Sequence, residues 1–126
     1  MTVVLDASAL LAVLLDEQGS QNVIPVMRGS LMSAVNASEC FSRAIDKGYS
    51  ASIPTQLLRQ FDITIMPFGL KQAAMTAELR PHTSSVGASL GDRAFLALAI
   101  EHQANALTGD RRLAALDIGV DIQLIR

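Results

Sequence analysis

Four acidic residues occupy places in the sequence from which their side chains can meet in the folded chain. Asp6 directly follows a short apolar run that predicts a buried strand, and Asp110 follows a second one, "ALTG". Asp92 begins a long apolar helical pattern, and Glu39 lies about one turn into another. In a parallel sheet, the ends of strands and the starts of the next helices share one edge, where such folds bind ligands. We therefore expect the four carboxylates to share one pocket.

Clustered carboxylates require a cation. Two unit charges about 4 Å apart repel by about 4 kcal/mol at an effective dielectric constant of about 20. Several such pairs would protonate the site or unfold it unless a cation lay among them. Oxygen ligands favour Mg²⁺ or Mn²⁺ over zinc, and the single cysteine with His82 and His102 offers no zinc-ligand spacing. The predicted cofactor is therefore one or two Mg²⁺ or Mn²⁺ ions.

Each acid also has a purely structural explanation. Asp6 and Asp110 suit helix N-caps, whose side chains accept hydrogen bonds from free backbone N–H groups. Asp92 suits a first helical turn, which favours negative charge. Glu39 has Arg43 four residues on, so a solvated ion pair explains it. Taken singly, each position favours these structural roles, whereas the joint pattern favours a metal site.

The elements that must position these acids follow from the alternation of apolar runs and helical patterns. Strands are predicted at 3–5, 31–33, 63–68, 106–108 and 122–125. Helices are predicted at 7–15, 21–28, 34–47, 52–61, 70–79 and 111–116, together with the helix that carries Asp92. The segment 80–91 is small and polar, which predicts a flexible loop. Strands separated by helices predict one α/β domain over residues 1–126, with a mainly parallel sheet.

The composition bounds the class of protein. Half of the 126 residues are apolar and 17% are charged, which excludes a disordered chain. Either a dense monomeric core or a surface covered by a partner or a second copy explains that content. The net charge of −2 leaves no basic footprint for nucleic acid, although a bound metal can still hold a phosphate. One cysteine, Cys40, and no apolar run of membrane-spanning length predict a soluble, cytoplasmic protein.

Four motifs together resemble a known family. "VVLDASALLAVLLDE", "SAVNASE", "SLGDRAFLALA" and "ALTGDRR" stand in the order and spacing of the PIN-domain ribonucleases. The chain is most similar to the toxin half of VapBC-type toxin–antitoxin pairs, and the resemblance extends from Val3 to Arg126. It implies a three-layer αβα sandwich and a Mg²⁺- or Mn²⁺-dependent endoribonuclease that cuts single-stranded RNA, often tRNA or ribosomal RNA. It also implies a homodimer that is silenced by a cognate antitoxin.

The resemblance also assigns residues. The family's metal-binding acids correspond to Asp6, Glu39, Asp92 and Asp110, and its supporting polar positions correspond to Ser8, Asn36 and Thr108. A metal held by these acids would activate water for in-line attack on phosphorus. Ser8 and Thr108 would orient carboxylates or water, unless they only bond to nearby backbone. Asn36 is expected to cap its helix and to orient Glu39.

Three arginines adjoin the acids in sequence and are expected to hold flanking RNA phosphates. They are Arg93, Arg111 and Arg112. For Arg112, an ordinary solvated helix position is an equally good explanation.

Other classes of protein remain open at this stage. A haloacid-dehalogenase-like phosphatase would carry a second Asp where Ser8 stands, and a supporting lysine. A metal-free ribonuclease would use His82 and His102 as acid and base, and it would resist chelators. A receiver-like or degenerate PIN module would bind Mg²⁺ without cutting RNA. A solitary PIN nuclease would have no neighbouring antitoxin reading frame.

Overall fold

Five strands alternate with helices along the chain. The computed structural model describes every residue from 1 to 126. The strands are β1 (Val3–Leu5), β2 (Leu31–Ser33), β3 (Thr64–Met66), β4 (Asn105–Thr108) and β5 (Ile122–Leu124). The helices are α1 (Ala7–Leu14), α2 (Ser20–Met27), α3 (Ala34–Asp46), α4 (Ser52–Gln60), α5 (Leu70–Glu78), α6 (Arg80–Thr83) and α7 (Leu90–His102). Two 3₁₀ turns, Ser84–Val86 and Arg111–Ala115, complete the structure.

The strands form one sheet in the order β3-β2-β1-β4-β5, and every neighbouring pair is parallel. The predicted α/β fold is therefore confirmed, with a sheet that is wholly parallel. The chain proceeds outward from β1 to β3 on one side and from β4 to β5 on the other. The order reverses between β1 and β4, and open α/β sheets bind ligands at the carboxyl ends of strands at such a reversal.

Two apolar cores lie on opposite faces of the sheet, because successive residues of a strand point to opposite faces. Leu5, Met32 and Leu107 pack with helices α1 to α4 on one face. Val4 and Ala106 pack with α5 and α7 on the other. The domain is thus a three-layer αβα sandwich. Its longest helices, α3 and α7, have 13 residues each, and no helix has the length and apolar character needed to cross a bilayer.

The prediction of a flexible loop over 80–91 is wrong. Arg80–Thr83 is a helical turn with Pro81 in its first turn, a position that proline tolerates. Thr83 is buried and its Oγ1 donates to the carbonyl oxygen of Leu79 at 2.9 Å. The 3₁₀ turn that follows ends at Gly87, whose φ is 64°. Packing of this small, polar segment orders it, and local sequence does not reveal that packing.

Gly19 joins the start of α2 to the end of the sheet. Its φ is 98°, a region that residues with a Cβ rarely adopt. A Cβ at this position would lie 2.7 Å from the carbonyl oxygen of Ile125. The side chain of Asn22 donates to the same carbonyl at 2.8 Å. Only glycine therefore permits this close approach of two elements.

Candidate active site

Asp6 lies at the carboxyl end of β1 and caps α1, as its position in the sequence predicts. Its Oδ1 accepts the Ala9 N–H at 3.0 Å and the Ser8 hydroxyl at 2.6 Å. Its Oδ2 accepts the Thr108 hydroxyl at 2.5 Å. The residue is only 6% exposed, so this carboxylate is held in one orientation at the centre of the sheet edge.

Hydroxyl groups connect the ends of β1 and β4. Thr108, the last residue of β4, accepts the Asp110 N–H on its Oγ1 at 3.0 Å. Ser8 accepts the Gly109 N–H on its Oγ at 2.8 Å. The backbone that carries Asp110 is therefore fixed beside Asp6. Both hydroxyls donate to Asp6 and accept backbone N–H groups, Thr108 from its own loop and Ser8 from the distant Gly109.

Asp92 lies in the first turn of α7 and forms a capping box with Ser89. The Ser89 N–H donates to Asp92 Oδ2 at 2.9 Å, and the Asp92 N–H donates to Ser89 Oγ at 3.1 Å. Its side chain is 18% exposed. The helix behind it is buried along most of its length, from Ala94 to Ala99. The carboxylate is thus anchored to a rigid element.

Glu39 on α3 approaches the same turn of α7. The Asn36 side-chain amide donates to Glu39 Oε1 at 2.8 Å and to the carbonyl oxygen of Gly91 at 3.1 Å. A Cβ on Gly91 would lie only 2.5 Å from Glu39 Oε2. Asn36 thus hydrogen-bonds to Glu39, but the expectation that it caps α3 is wrong, because the residue that caps α3 is Ser33. The alternative ion pair between Glu39 and Arg43 does not form.

Arg112 bridges two of the acids. Its Nη2 lies 2.6 Å from Asp110 Oδ2 and 3.5 Å from Asp92 Oδ2, and its Nη1 donates to the carbonyl oxygen of Val86 at 3.1 Å. Asp110 also accepts the Arg112 backbone N–H at 3.0 Å, so it caps the 3₁₀ turn as predicted. The guanidinium therefore lies between the two carboxylates, and no cavity of the structure is lined by the four acids together.

The other two arginines lie away from the carboxylates. Arg93 Nη1 donates to the carbonyl oxygen of Thr76 on α5 at 3.1 Å. Arg111 is exposed and forms no ion pair. Proximity in sequence thus brings only Arg112 onto the acids, because neighbouring residues of a helical turn point in different directions.

Comparison with known proteins identifies the family. The family model for the PIN domain matches residues 3–119. The chain belongs to the PIN domain family. No curated protein matches the sequence significantly.

Solved structures of the same fold include three from bacterial toxin–antitoxin systems. A toxin–antitoxin complex from Klebsiella pneumoniae has a TM-score of 0.75 at 14% identity, covering 98% of each chain. DNA-bound VapBC from Salmonella typhimurium has a TM-score of 0.74 at 13% identity, covering 100% of this chain and 99% of the other. VapC20 from Mycobacterium tuberculosis, described as a sarcin-ricin loop cleaving toxin, has a TM-score of 0.76 at 12% identity, covering 94% and 98%. At these identities the likeness shows that this PIN domain shares their fold.

Burial and neighbouring groups shift the pKa of two acids in this PIN domain, Asp6 and Asp110. Burial raises the pKa of Asp6 from 3.8 to about 6, against hydrogen bonds from Ser8, Thr108 and Ala9 that lower it, and the charge of Asp92 raises it further. The hydrogen bond from Arg112 lowers the pKa of Asp110. Asp6 is therefore a buried carboxylate without a cationic partner, whereas Asp110 already has one.

The carboxylate oxygens of the four acids are ligands of the type that hard divalent cations prefer. All four candidate ligands offer carboxylate oxygens, and Arg112 demonstrates that the space between Asp92 and Asp110 accepts a positive charge. No group of three or more His, Cys, Asp or Glu side chains is yet close enough to hold an ion. A metal that binds Asp92 and Asp110 together must therefore displace the guanidinium of Arg112.

Two residues of the site were missed from the sequence, although one left a signal. Ser89 with Asp92 three residues later matches the capping-box pattern that precedes an apolar helix. Gly91 gives Glu39 room beside α7. That requirement depends on the packing of α3 against α7, and the sequence around Gly91 carries no sign of it.

Proposed function

We propose that this PIN domain is a metal-dependent endoribonuclease that cuts single-stranded regions of RNA, as the toxin of a toxin–antitoxin pair. The observation that carries the proposal is the buried carboxylate of Asp6 at the strand reversal, tied through Thr108 to Asp110 and within the field of Asp92. A buried, unneutralised carboxylate beside other acids is costly unless a cation joins it. Membership of the PIN family agrees with this chemistry.

The acids have distinct proposed roles. Asp6, Asp92 and Asp110 would hold one or two Mg²⁺ or Mn²⁺ ions, and Glu39 would bind directly or through water. A bound ion would lower the pKa of a water molecule and neutralise charge on the phosphoryl oxygens. Thr108 keeps Asp6 in a fixed rotamer by its hydrogen bond. Such preorganisation avoids the cost of ordering ligands when the ion arrives.

Three residues would support substrate and ligands around these acids. Asn36 keeps the Glu39 carboxylate against the first turn of α7. Arg112, once displaced from the acids by a metal, would be free to hold an RNA phosphate through two parallel hydrogen bonds. Arg111 is exposed and would attract RNA by its positive charge without contacting the acids.

The toxin role and the partners form the finer part of the proposal. Solved structures of this fold come from toxin–antitoxin systems, among them one described as cleaving the sarcin-ricin loop. Exposed apolar side chains, including Ile45, Tyr49 and Ile53, are available for a cognate antitoxin or a second copy of the chain. We propose a homodimer that an antitoxin silences in the cytoplasm. An adjacent reading frame for a small DNA-binding protein would support this role, whereas its absence would favour a solitary nuclease.

A non-catalytic module is the second candidate, and one observation favours it. Arg112 already forms ion pairs with Asp110 and Asp92, and no three-ligand cluster is present. Such a domain would bind Mg²⁺ weakly or not at all and would leave RNA intact. Measurements of cleavage and of metal binding on the same preparation separate the two candidates.

The decisive experiment is cleavage of an end-labelled single-stranded RNA by the purified chain. We expect products with Mg²⁺ or Mn²⁺ and none with EDTA. Asp6→Ala and Asp92→Asn should abolish cleavage, and Asp92→Asn should keep its fold because asparagine can still accept the Ser89 N–H. Asp46→Asn, on the exposed end of α3, is the matched control and should cleave normally.

Two results would contradict the proposal. Full cleavage by folded Asp92→Asn, with the fold verified by circular dichroism, would show that the charge of Asp92 is not needed to hold a catalytic metal. Cleavage that persists in EDTA would point to acid–base chemistry without metal, for which His82 and His102 are the candidates.

A further inference from the structure

A cavity of about 390 Å³ opens beside the first turn of α7, apart from the carboxylates. Its walls come from α6, from the segment that follows it and from the start of α7. Two arginines, Arg80 and Arg93, and three hydroxyl residues, Thr83, Ser84 and Ser89, line the cavity together with small or apolar residues, and no carboxylate does. In a chain with a net charge of −2, a cavity with only positive charge in its walls favours an anion.

Arg93 is held in place within this cavity. Its Nη1 donates to the carbonyl oxygen of Thr76 at 3.1 Å, which fixes the guanidinium against α5. Its Nε is buried and has no hydrogen-bond partner. A guanidinium offers five N–H donors, and no carboxylate lies within ion-pair distance of this one. Arg93 therefore carries a partly buried charge that no carboxylate of the chain compensates.

Arg80 adds a second cation to the lining of the cavity. It is the first residue of α6, is exposed and forms no ion pair. The ordered turn 80–83 places it there, and that turn is fixed by the buried Thr83. The two arginines thus lie on different elements that converge on one space.

The cavity adjoins the candidate active site at the start of α7. Ser89 lines the cavity and forms the capping box with Asp92, and Gly87, which also lines it, lies beside Arg112. The acids and the two arginines are therefore neighbours around one helical turn. A polyanion lying across this turn would meet the carboxylates on one side and the two cations on the other.

We propose that this cavity binds a backbone phosphate of single-stranded RNA that flanks the phosphate to be cut. This assignment rests on the proposed ribonuclease function. Arg93 is the anchor held against α5, Arg80 is the exposed partner, and both would contact phosphate oxygens. Because the contacts are to phosphate, the site positions the strand over the acids and selects no base.

The test is the salt dependence of RNA binding by the full chain. Asp6→Asn serves as the non-cleaving background, and anisotropy of a fluorescein-labelled single-stranded RNA is followed over KCl concentration at constant Mg²⁺. The slope of log K against log salt is negative, and each lost phosphate contact makes it shallower by about 0.7. Arg80→Ala should therefore bind RNA more weakly than its parent at low salt. When the salt concentration rises tenfold, the factor by which its affinity falls should be about five times smaller than the factor for the parent.

Three variants keep the result interpretable. Arg43→Ala, an exposed arginine on α3 without an ion pair, is the matched control and should leave the slope unchanged. Arg93→Gln should behave like Arg80→Ala, and Arg93→Lys, which keeps the charge, should retain most of the slope. Arg80 is exposed, so its substitution tests the proposal even if the Arg93 variants are unstable.

The outcomes separate this inference from the proposed function. If Arg80→Ala and folded Arg93→Gln give the same slope and affinity as Arg43→Ala, the phosphate site is refuted, whether or not the unsubstituted protein cleaves RNA. If the slopes fall as expected while the unsubstituted protein fails to cleave with any metal, the phosphate site stands and the nuclease assignment fails.

Discussion

Replacing Gly91 by alanine should separate the stability of this PIN domain from its proposed activity. Gly91 lies in the first turn of α7, directly against the end of the Glu39 side chain. A Cβ would lie 2.5 Å from Oε2 and 2.6 Å from Oε1 of Glu39. Carboxylate oxygens cannot remain at those distances from a methyl group, so Glu39 must move away from the other acids.

The effect on stability should be small because two terms oppose each other. Alanine is favoured over glycine within a helix by up to about 1 kcal/mol. The displaced Glu39 loses its hydrogen bond from Asn36, worth about 0.5–1.5 kcal/mol. Glu39 is exposed, so its side chain can rotate into water. For a domain of this size about 1 kcal/mol corresponds to about 4 °C, and we expect the melting temperature to change by no more than that.

The effect on activity should be large by comparison. Moving a ligand or its supporting group costs metal sites about 10- to 100-fold in affinity or activity. We expect that loss in Mn²⁺-dependent cleavage of single-stranded RNA by Gly91→Ala, with a normal melting curve. Glu39→Ala should lose a similar amount, and the double variant should lose no more than Glu39→Ala alone.

Controls and contradicting results are available within the chain. A Cβ at Gly69, the N-cap of α5, would meet no atom within 4 Å, so Gly69→Ala should leave cleavage unchanged, with at most the small loss of stability that alanine causes at an N-cap. Unimpaired cleavage by folded Gly91→Ala would refute the assigned place of Glu39. Losses that multiply in the double variant would show that Gly91 acts through another group.

Three further predictions concern charge and close packing. In the metal-free protein, the pKa of Asp6 is about 6, against 3.8 for an ordinary aspartate. Between these two values, the folded state holds a proton that the unfolded state has released. The free energy of unfolding should therefore fall by up to about 3 kcal/mol as pH rises from about 4 to about 6. Urea unfolding at both ends of this range should detect the fall, and Asp6→Asn should abolish it. Arg112→Gln should strengthen Mn²⁺ binding by up to about fivefold in calorimetry, because an exposed ion pair no longer competes; unchanged affinity would mean that the ion does not displace this guanidinium. Gly19→Ala should lower the melting temperature by more than about 4 °C, since its Cβ would lie 2.7 Å from the Ile125 carbonyl oxygen, and an unaltered melting curve would contradict that contact.

The fold was predictable because strands and helices leave periodic patterns. Each of the five predicted strands is present, although β3 is shorter than the predicted 63–68. The predicted loop over 80–91 failed for a physical reason. A four-residue helix has no periodicity to detect, and the burial of Thr83 that stabilises it is a tertiary contact.

The candidate site was predictable where backbone position decides it and unpredictable where side-chain direction does. Asp6 and Asp110 follow strands, so the parallel sheet alone places them together. Arg93 is the neighbour of Asp92 in sequence, yet its guanidinium reaches α5 and the cavity beside it. Arg112 lies two residues beyond Asp110 and turns back onto it. The direction of each arginine side chain is set by a rotamer that depends on tertiary packing. The distance of the arginine from the acid along the sequence does not predict that rotamer.

Capping and metal binding, which compete as explanations of these acids in the sequence, become compatible in the structure. Asp6, Asp92 and Asp110 each accept a backbone N–H at the start of a helix or 3₁₀ turn. That bond fixes the direction of the carboxylate, and the parallel sheet brings these starts to one edge. A cap thus supplies the preorganisation that a metal ligand needs, since each of these carboxylates keeps at least one oxygen with a lone pair that no hydrogen bond occupies. Asparagine can preserve the cap while removing the charge, so an Asp→Asn variant that folds and fails to cut RNA would mean that the charge, rather than the cap, serves the chemistry.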